Sequence, residues 1–217
     1  MSETPDTRYS PTEEIANSVT HGLGAILAAA GLAVLVVASV LRGTAVHVAS
    51  SAVFGVSMLV MYSASTAYHA TRNPAAKRVL RHLDHAAILL LIAGTYTPFT
   101  LVTLRGPWGW SIFGAVWSLA LVGLLFERAL RRRGVGFSIA LYVLMGWAAA
   151  AAVKPLLAAL PAGGFALLLA GGLAYTCGTV FYLTRRVPFS HAWWHVAVLA
   201  GSVLHFLAVL FYVIPRG

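Results

Sequence analysis

The chain has 217 residues, 59% of them hydrophobic and only 10% charged, with a mean hydropathy of +0.83, which excludes a soluble globular domain and indicates an integral membrane protein. The net charge of +9 would suit a nucleic-acid partner, but the basic residues stand in short clusters between apolar runs, so none is expected and the charge reports orientation. A single cysteine, Cys177, within an apolar run leaves no disulfide framework and no thiolate metal cluster.

Residues 1–19 read as a short polar cytoplasmic segment. It lacks the basic start and small-residue cleavage site of a secretory signal, so the first apolar run is expected to stay as a span. Residues 20–217 read as one transmembrane domain. Runs able to cross a bilayer, about 20 residues each, fall at 20–41, 45–68, 84–104, 108–126, 136–154, 163–184 and 191–214. The connections are short and carry breakers or charges.

The connection after the second run holds Arg72, Lys77, Arg78 and Arg81. The one after the fourth holds Arg128, Arg131, Arg132 and Arg133, and the one after the sixth Arg185 and Arg186. The opposite side has Arg42, Arg105, Lys154 and Arg216. The positive-inside rule therefore predicts an all-α integral membrane protein, a seven-transmembrane helix bundle with its N-terminus cytoplasmic and its C-terminus outside. The bacterial inner (cytoplasmic) membrane is the expected location, and no obligate protein partner is implied.

On that topology the unusual polar residues share one depth. His69 ends the second run, Asp84 opens the third, and His191 and His195 open the seventh. Four residues turn a helix about 40° beyond a full turn, so His191 and His195 share a face and can chelate one ion, or can simply be paired interfacial rings. Ser65 precedes His69 by the same interval; its hydroxyl either bonds the carbonyl one turn back or serves the same site. Asp84 either caps a helix N-terminus or offsets a cation's charge.

Three imidazoles with an open fourth position are the ligand set of a catalytic rather than a structural Zn²⁺. Such an ion activates water at neutral pH and polarises a carbonyl, which points to hydrolysis. HAWWH lacks the glutamate of the HExxH motif, so Asp84 is the candidate that orients the water and moves its proton. Ser65 is the candidate partner of the water or of an oxyanion. Glu14, Asn17 and His21 lie on approximately one helix face and either brace the site or cap the first helix, while His82 and His85 flank Asp84 and can tune it. His47 is expected as an outer interfacial ring. His205 is expected to hydrogen-bond another helix near the midplane.

The stretches EIANSVTHGLGA, SASTAYH, HLDHAAILLLIAGTYTPF, LYVLMGW and HAWWHVAVLAGSVLHF, in this order and spacing, resemble the bacterial hemolysin III family, the prokaryotic branch of the progestin and adiponectin receptor family. The resemblance runs from Glu14 to about Tyr212. It implies seven helices, a cytosolic N-terminus, and a zinc near the inner leaflet on His69, His191 and His195, with Asp84 beside the water and Ser65 as the motif serine. By analogy with the ceramidase activity associated with the receptors, it further implies hydrolysis of a lipid amide, with a membrane lipid or acyl chain as ligand. The short tails speak against a receptor for a protein hormone. The competing expectation is a non-enzymatic pore former or lipid sensor with a structural zinc.

Overall fold

The computed structural model describes residues 9–184 and 187–215. Arg185, Arg186 and Arg216 of the charge count lie outside the described residues, as do residues 1–8. Among the described residues there are seven helices long and apolar enough to cross a membrane. In chain order they are α1 (Pro11–Arg42), α2 (Ala45–Ala70), α3 (Pro74–Pro98) with its π-helical continuation Phe99–Leu104, and α4 (Gly106–Leu125). After the short α5 (Glu127–Arg132) comes a broken fifth span made of α6 (Val135–Gly146), a 3₁₀ turn (Ala148–Ala152) and α7 (Val153–Ala159). Then follow α8 (Ala162–Leu183) and α9 (Ser190–Ala208), which ends in a π turn at Val209–Val213.

Two helices begin well before their apolar runs, at residues 11 and 74 rather than 20 and 84, because local capping chemistry starts them. Ser10 and Glu13 form a reciprocal capping box with Pro11 at the first helical position. Asn73 Oδ1 accepts from the backbone N–H groups of Ala75 (2.9 Å) and Ala76 (3.1 Å), followed by Pro74. The early start of α3 corrects one expectation: Asp84 lies ten residues inside the helix and caps nothing.

Large apolar side chains such as Ile26, Leu41, Leu125 and Leu144 are exposed on the outside of the bundle, as a lipid-facing surface requires. The interior packs Leu35, Phe54, Met58 and Met61 against Val198 and Val209. Small residues set the closest approaches. A Cβ at Gly24 would meet the Tyr62 ring at 2.5 Å, and one at Gly201 would meet the Tyr175 ring at 2.8 Å. The two tyrosines so admitted both reach Ser202 Oγ at 2.8 Å, tying α2 and α8 to α9.

The break in the fifth span, read from the sequence as continuous, has a physical cause. Pro155 has no N–H to bond the carbonyl one turn back, and Gly146 weakens the helix before it. Two groups left without helical partners at the break itself find one on α3: Tyr96 Oη donates to Gly146 O (2.6 Å) and accepts from Ala149 N (3.0 Å). An irregular backbone at membrane depth persists only when its polar groups are satisfied in this way. Trp147 Nε1 donates to Thr176 Oγ1 (3.0 Å), joining the break to α8. Tyr96→Phe leaves both backbone groups of the break unpaired, and is expected to lower stability by about 1–3 kcal/mol in thermal unfolding of the detergent-solubilised protein.

Candidate metal centre

The C-terminal end of α2 meets the N-terminal end of α9 beside the first three turns of α1. His69 comes from α2, and His191 and His195 from one face of α9. One nitrogen of each ring lies within 4.8 Å of the others, close enough for a single ion to touch all three after small side-chain rotations. Ring centroids are 5.1 Å apart for His69 to either of the others and 4.5 Å for His191 to His195. His69 and His195 are 3% and 2% exposed; His191 sits at the rim of the cluster.

Each buried ligand is aimed by a bond to its other nitrogen. A carboxylate oxygen accepts only, so His69 Nδ1 donates to Glu14 Oε2 (2.6 Å). That fixes the tautomer and leaves Nε2 bare, and this atom is buried with no hydrogen-bond partner among the described residues. His195 Nδ1 donates to the Asn17 carbonyl (3.1 Å), with Thr20 Oγ1 at 3.2 Å, which again leaves Nε2 for a ligand. A second hydrogen bond that orients a ligating imidazole is the usual support of a metal site. The donor set, three imidazoles of which His69 and His195 each keep Nε2 for a ligand, fits a divalent metal ion such as Zn²⁺.

Glu14 is in turn held by Lys77 Nζ, at 2.5 Å from Oε1. Lys77 also stands over the Tyr68 ring at 5.1 Å. Thus α1, α2 and α3 are locked together through one carboxylate. Tyr9 packs against the cluster from outside, with its ring 4.8 Å from His191 and 5.8 Å from His69.

Asp84, Ser65, His21 and His85 line a cavity of about 110 Å³ whose wall includes His191 and His195. Ser65 is 1% exposed, and its hydroxyl has no partner among the described residues. The alternative of a bond to the carbonyl one turn back is not what the helix shows, although the neighbouring Thr66 does make that bond to Tyr62 O at 2.7 Å. Asp84 Oδ2 lies 3.6 Å from His85 Nδ1, while His85 Nδ1 donates to Arg81 O (2.7 Å) and His85 Nε2 stands 3.3 Å from Tyr182 Oη. His82 turns away to bond Glu127 Oε2 at 2.7 Å, so only one of the two histidines beside Asp84 faces the site.

Two further histidines are structural. His205 Nε2 donates to Leu168 O (2.9 Å), the interhelical bond expected of it. His47, in the first turn of α2, is buried, and its Nδ1 accepts from Thr44 N (3.1 Å). Of the face formed by Glu14, Asn17 and His21, none caps α1, since Ser10 and Glu13 do so. Tyr9, Thr20, Lys77 and Tyr182 were not singled out from the sequence. Thr20 lies within the EEIANSVTH stretch and could have been read from it, but the others reach the site across the fold.

A second cavity, of about 190 Å³, shares Thr95, Tyr96, Gly146, Trp147, Gly172 and His205 with the first. Its remaining wall is almost wholly apolar, including Phe99, Ile112, Leu156 and Phe165. The two abut, so an apolar path leads from the histidines towards the other half of the bundle.

The family model described as Haemolysin-III related matches residues 9–206. Similar proteins include Hemolysin-3 of Bacillus cereus, 48% identical over 205 residues (94% of each chain), and Hemolysin-3 homolog of Bacillus subtilis, 45% identical over 204 residues (94% of this chain, 96% of the relative). A more distant relative is Monocyte to macrophage differentiation factor of Homo sapiens, 26% identical over 210 residues (93% of this chain, 86% of the relative).

Glu14→Gln is expected to weaken metal affinity by about 10- to 100-fold, read by competition with a chelator of known affinity, whereas His69→Ala removes binding within the range of that assay.

Proposed function

The chain belongs to the haemolysin-III related family and is a multi-pass protein of the bacterial inner membrane, and from that premise we propose that it is a zinc-dependent hydrolase of lipid amides acting at the inner leaflet. The observation that carries the reading is the junction of a tri-histidine cluster with an apolar cavity through a polar head made by Ser65 and Asp84. A structural zinc would be closed by a fourth protein ligand; a three-histidine set would leave room for water, and two of its members, His191 and His195, line the cavity.

Bound zinc would supply an activated water near neutral pH and a Lewis acid for a carbonyl. The residues of the chain divide the remaining work. His69, His191 and His195 would hold the ion, and Glu14 with the Asn17 carbonyl keeps two of those rings in register. Asp84 takes the proton from the water and returns it to the departing amine, so that the C–O bond forms, the C–N bond breaks and no net proton is lost. Ser65 donates to the oxygen that becomes negative when the carbonyl electron pair moves onto it. The apolar cavities accept the acyl chain, which enters between helices, and exclude water from it.

The face follows from charge. His69 and the Glu14–Lys77 pair lie at the end of the bundle that carries Arg72, Arg78 and Arg81, and a basic-rich connection belongs on the cytoplasmic side. This orientation predicts that alkaline phosphatase fused at the C-terminus is active and that a fluorescent protein fused there stays dark, the reverse of what a cytoplasmic C-terminus would give.

The name of the Bacillus relatives favours a second reading, membrane lysis. The two are separated in liposomes. Asp84→Asn is expected to keep one zinc per chain by elemental analysis while turnover of a long-chain N-acyl sphingosine falls at least about 100-fold. Leakage of a trapped dye that is unchanged by this substitution, with no lipid cleaved by the wild type, would replace hydrolysis with lysis.

A further inference from the structure

His21 stands apart from every other described histidine. It is 3% exposed, both of its ring nitrogens are buried, and neither has a hydrogen-bond partner among the described residues. By contrast His47, His69, His82, His85, His195 and His205 each spend a nitrogen on a backbone or carboxylate group or on a hydroxyl. A buried, unpartnered imidazole is a cost that a folded protein rarely carries without a use. His21 also lines the cavity beside Ser65 and Asp84.

Its ring lies flat on that of His195, with centroids 3.4 Å apart and planes 11° from parallel. An imidazole offers a metal its lone pair in the plane of the ring. Two rings stacked in nearly parallel planes cannot aim their lone pairs at one point, so His21 could not share an ion with His195. His21 is thereby excluded from the ligand set, yet it is held one ring thickness from it. A substrate oxygen close to the ion can enter the plane of His21.

We propose that His21 is a catalytic hydrogen-bond donor for the acyl carbonyl oxygen, acting with Ser65 across the head of the cavity. A neutral imidazole carries one N–H, and no hydrogen bond of good geometry to the described residues occupies it here, so it is available to an arriving oxygen. The Tyr62 ring stands edge-on to His21, with centroids 5.0 Å apart, and Ser65 follows Tyr62 by three residues on α2, so the two donors stand on facing helices. The ligand class is a long-chain acyl group whose carbonyl or carboxylate oxygen sits at the polar head and whose chain follows the apolar path. No proton is transferred; the donor is aimed before the oxygen arrives, which is what makes such a group effective.

This assignment rests on the acyl-hydrolase reading for its substrate, but palmitate binding tests it without turnover. Palmitate places a carboxylate where the carbonyl oxygen would lie. Zinc-loaded wild type, H21F and H21Q in detergent are compared by displacement of a fluorescent fatty acid, alongside zinc analysis and thermal unfolding. H21F fills the space without a donor and is expected to weaken palmitate by about 10- to 100-fold. H21Q, which keeps a donor, is expected to recover to within about 3-fold of wild type, and all three keep one zinc per chain. Equal palmitate affinity in H21F and wild type, no palmitate binding by wild type, or loss of zinc in step with affinity would each overturn the assignment. Wild type that binds palmitate in the expected order but cleaves no N-acyl amide sinks the hydrolase reading and leaves the donor in place.

Discussion

A charge-assisted hydrogen bond between Glu14 and His69 is the contact on which the remaining arrangement depends. The His69 ring is buried and cannot turn to water for a partner, and the partly exposed Glu14 carboxylate beside it supplies one. The bond decides which nitrogen of His69 carries the proton and where the bare one points. Lys77 completes the carboxylate from α3. One acidic side chain thus fixes three helices relative to one another and leaves a single lone pair facing α9.

The other half of the cluster is supported by the same helix. The Asn17 carbonyl, one turn after Glu14, takes the N–H of His195, and Thr20 adds a hydroxyl at 3.2 Å. One face of α1 therefore serves as a bracket for the histidines arriving from α2 and from α9, which are more than a hundred residues apart in the chain. The polar head of the cavity and its apolar continuation share a wall with the broken fifth span. Tyr96 holds that break open by answering both of its orphaned backbone groups, so the shape of the apolar path depends on a hydroxyl rather than on packing alone.

The seven spans were legible because a bilayer demands long apolar runs and the chain supplies them. Their ends were not, since hydropathy marks where a helix meets lipid and not where it starts. The capping signals at Ser10 and Asn73 were present in the sequence, and reading them would have moved Asp84 into the helix interior. The His-x-x-x-His pair and the matched depth of His69 followed from helical geometry. The roles of Glu14 and Asn17 were left between bracing and capping, because a shared helix face says what can point inwards but not at what. Tyr9, Lys77 and the Tyr96 clamp join elements through contacts that no local pattern encodes. The stacking of His21 on His195 is of the same kind, visible only once two helices have docked.

Anomalous diffraction at the zinc absorption edge, from crystals grown in metal-replete lipid, tests the central claim most directly. The account predicts one strong peak within coordination distance of a ring nitrogen of each of His69, His191 and His195, beside the cavity that Ser65 lines. A difference map with no peak there, or with the peak elsewhere, such as between His82 and Glu127, would contradict it.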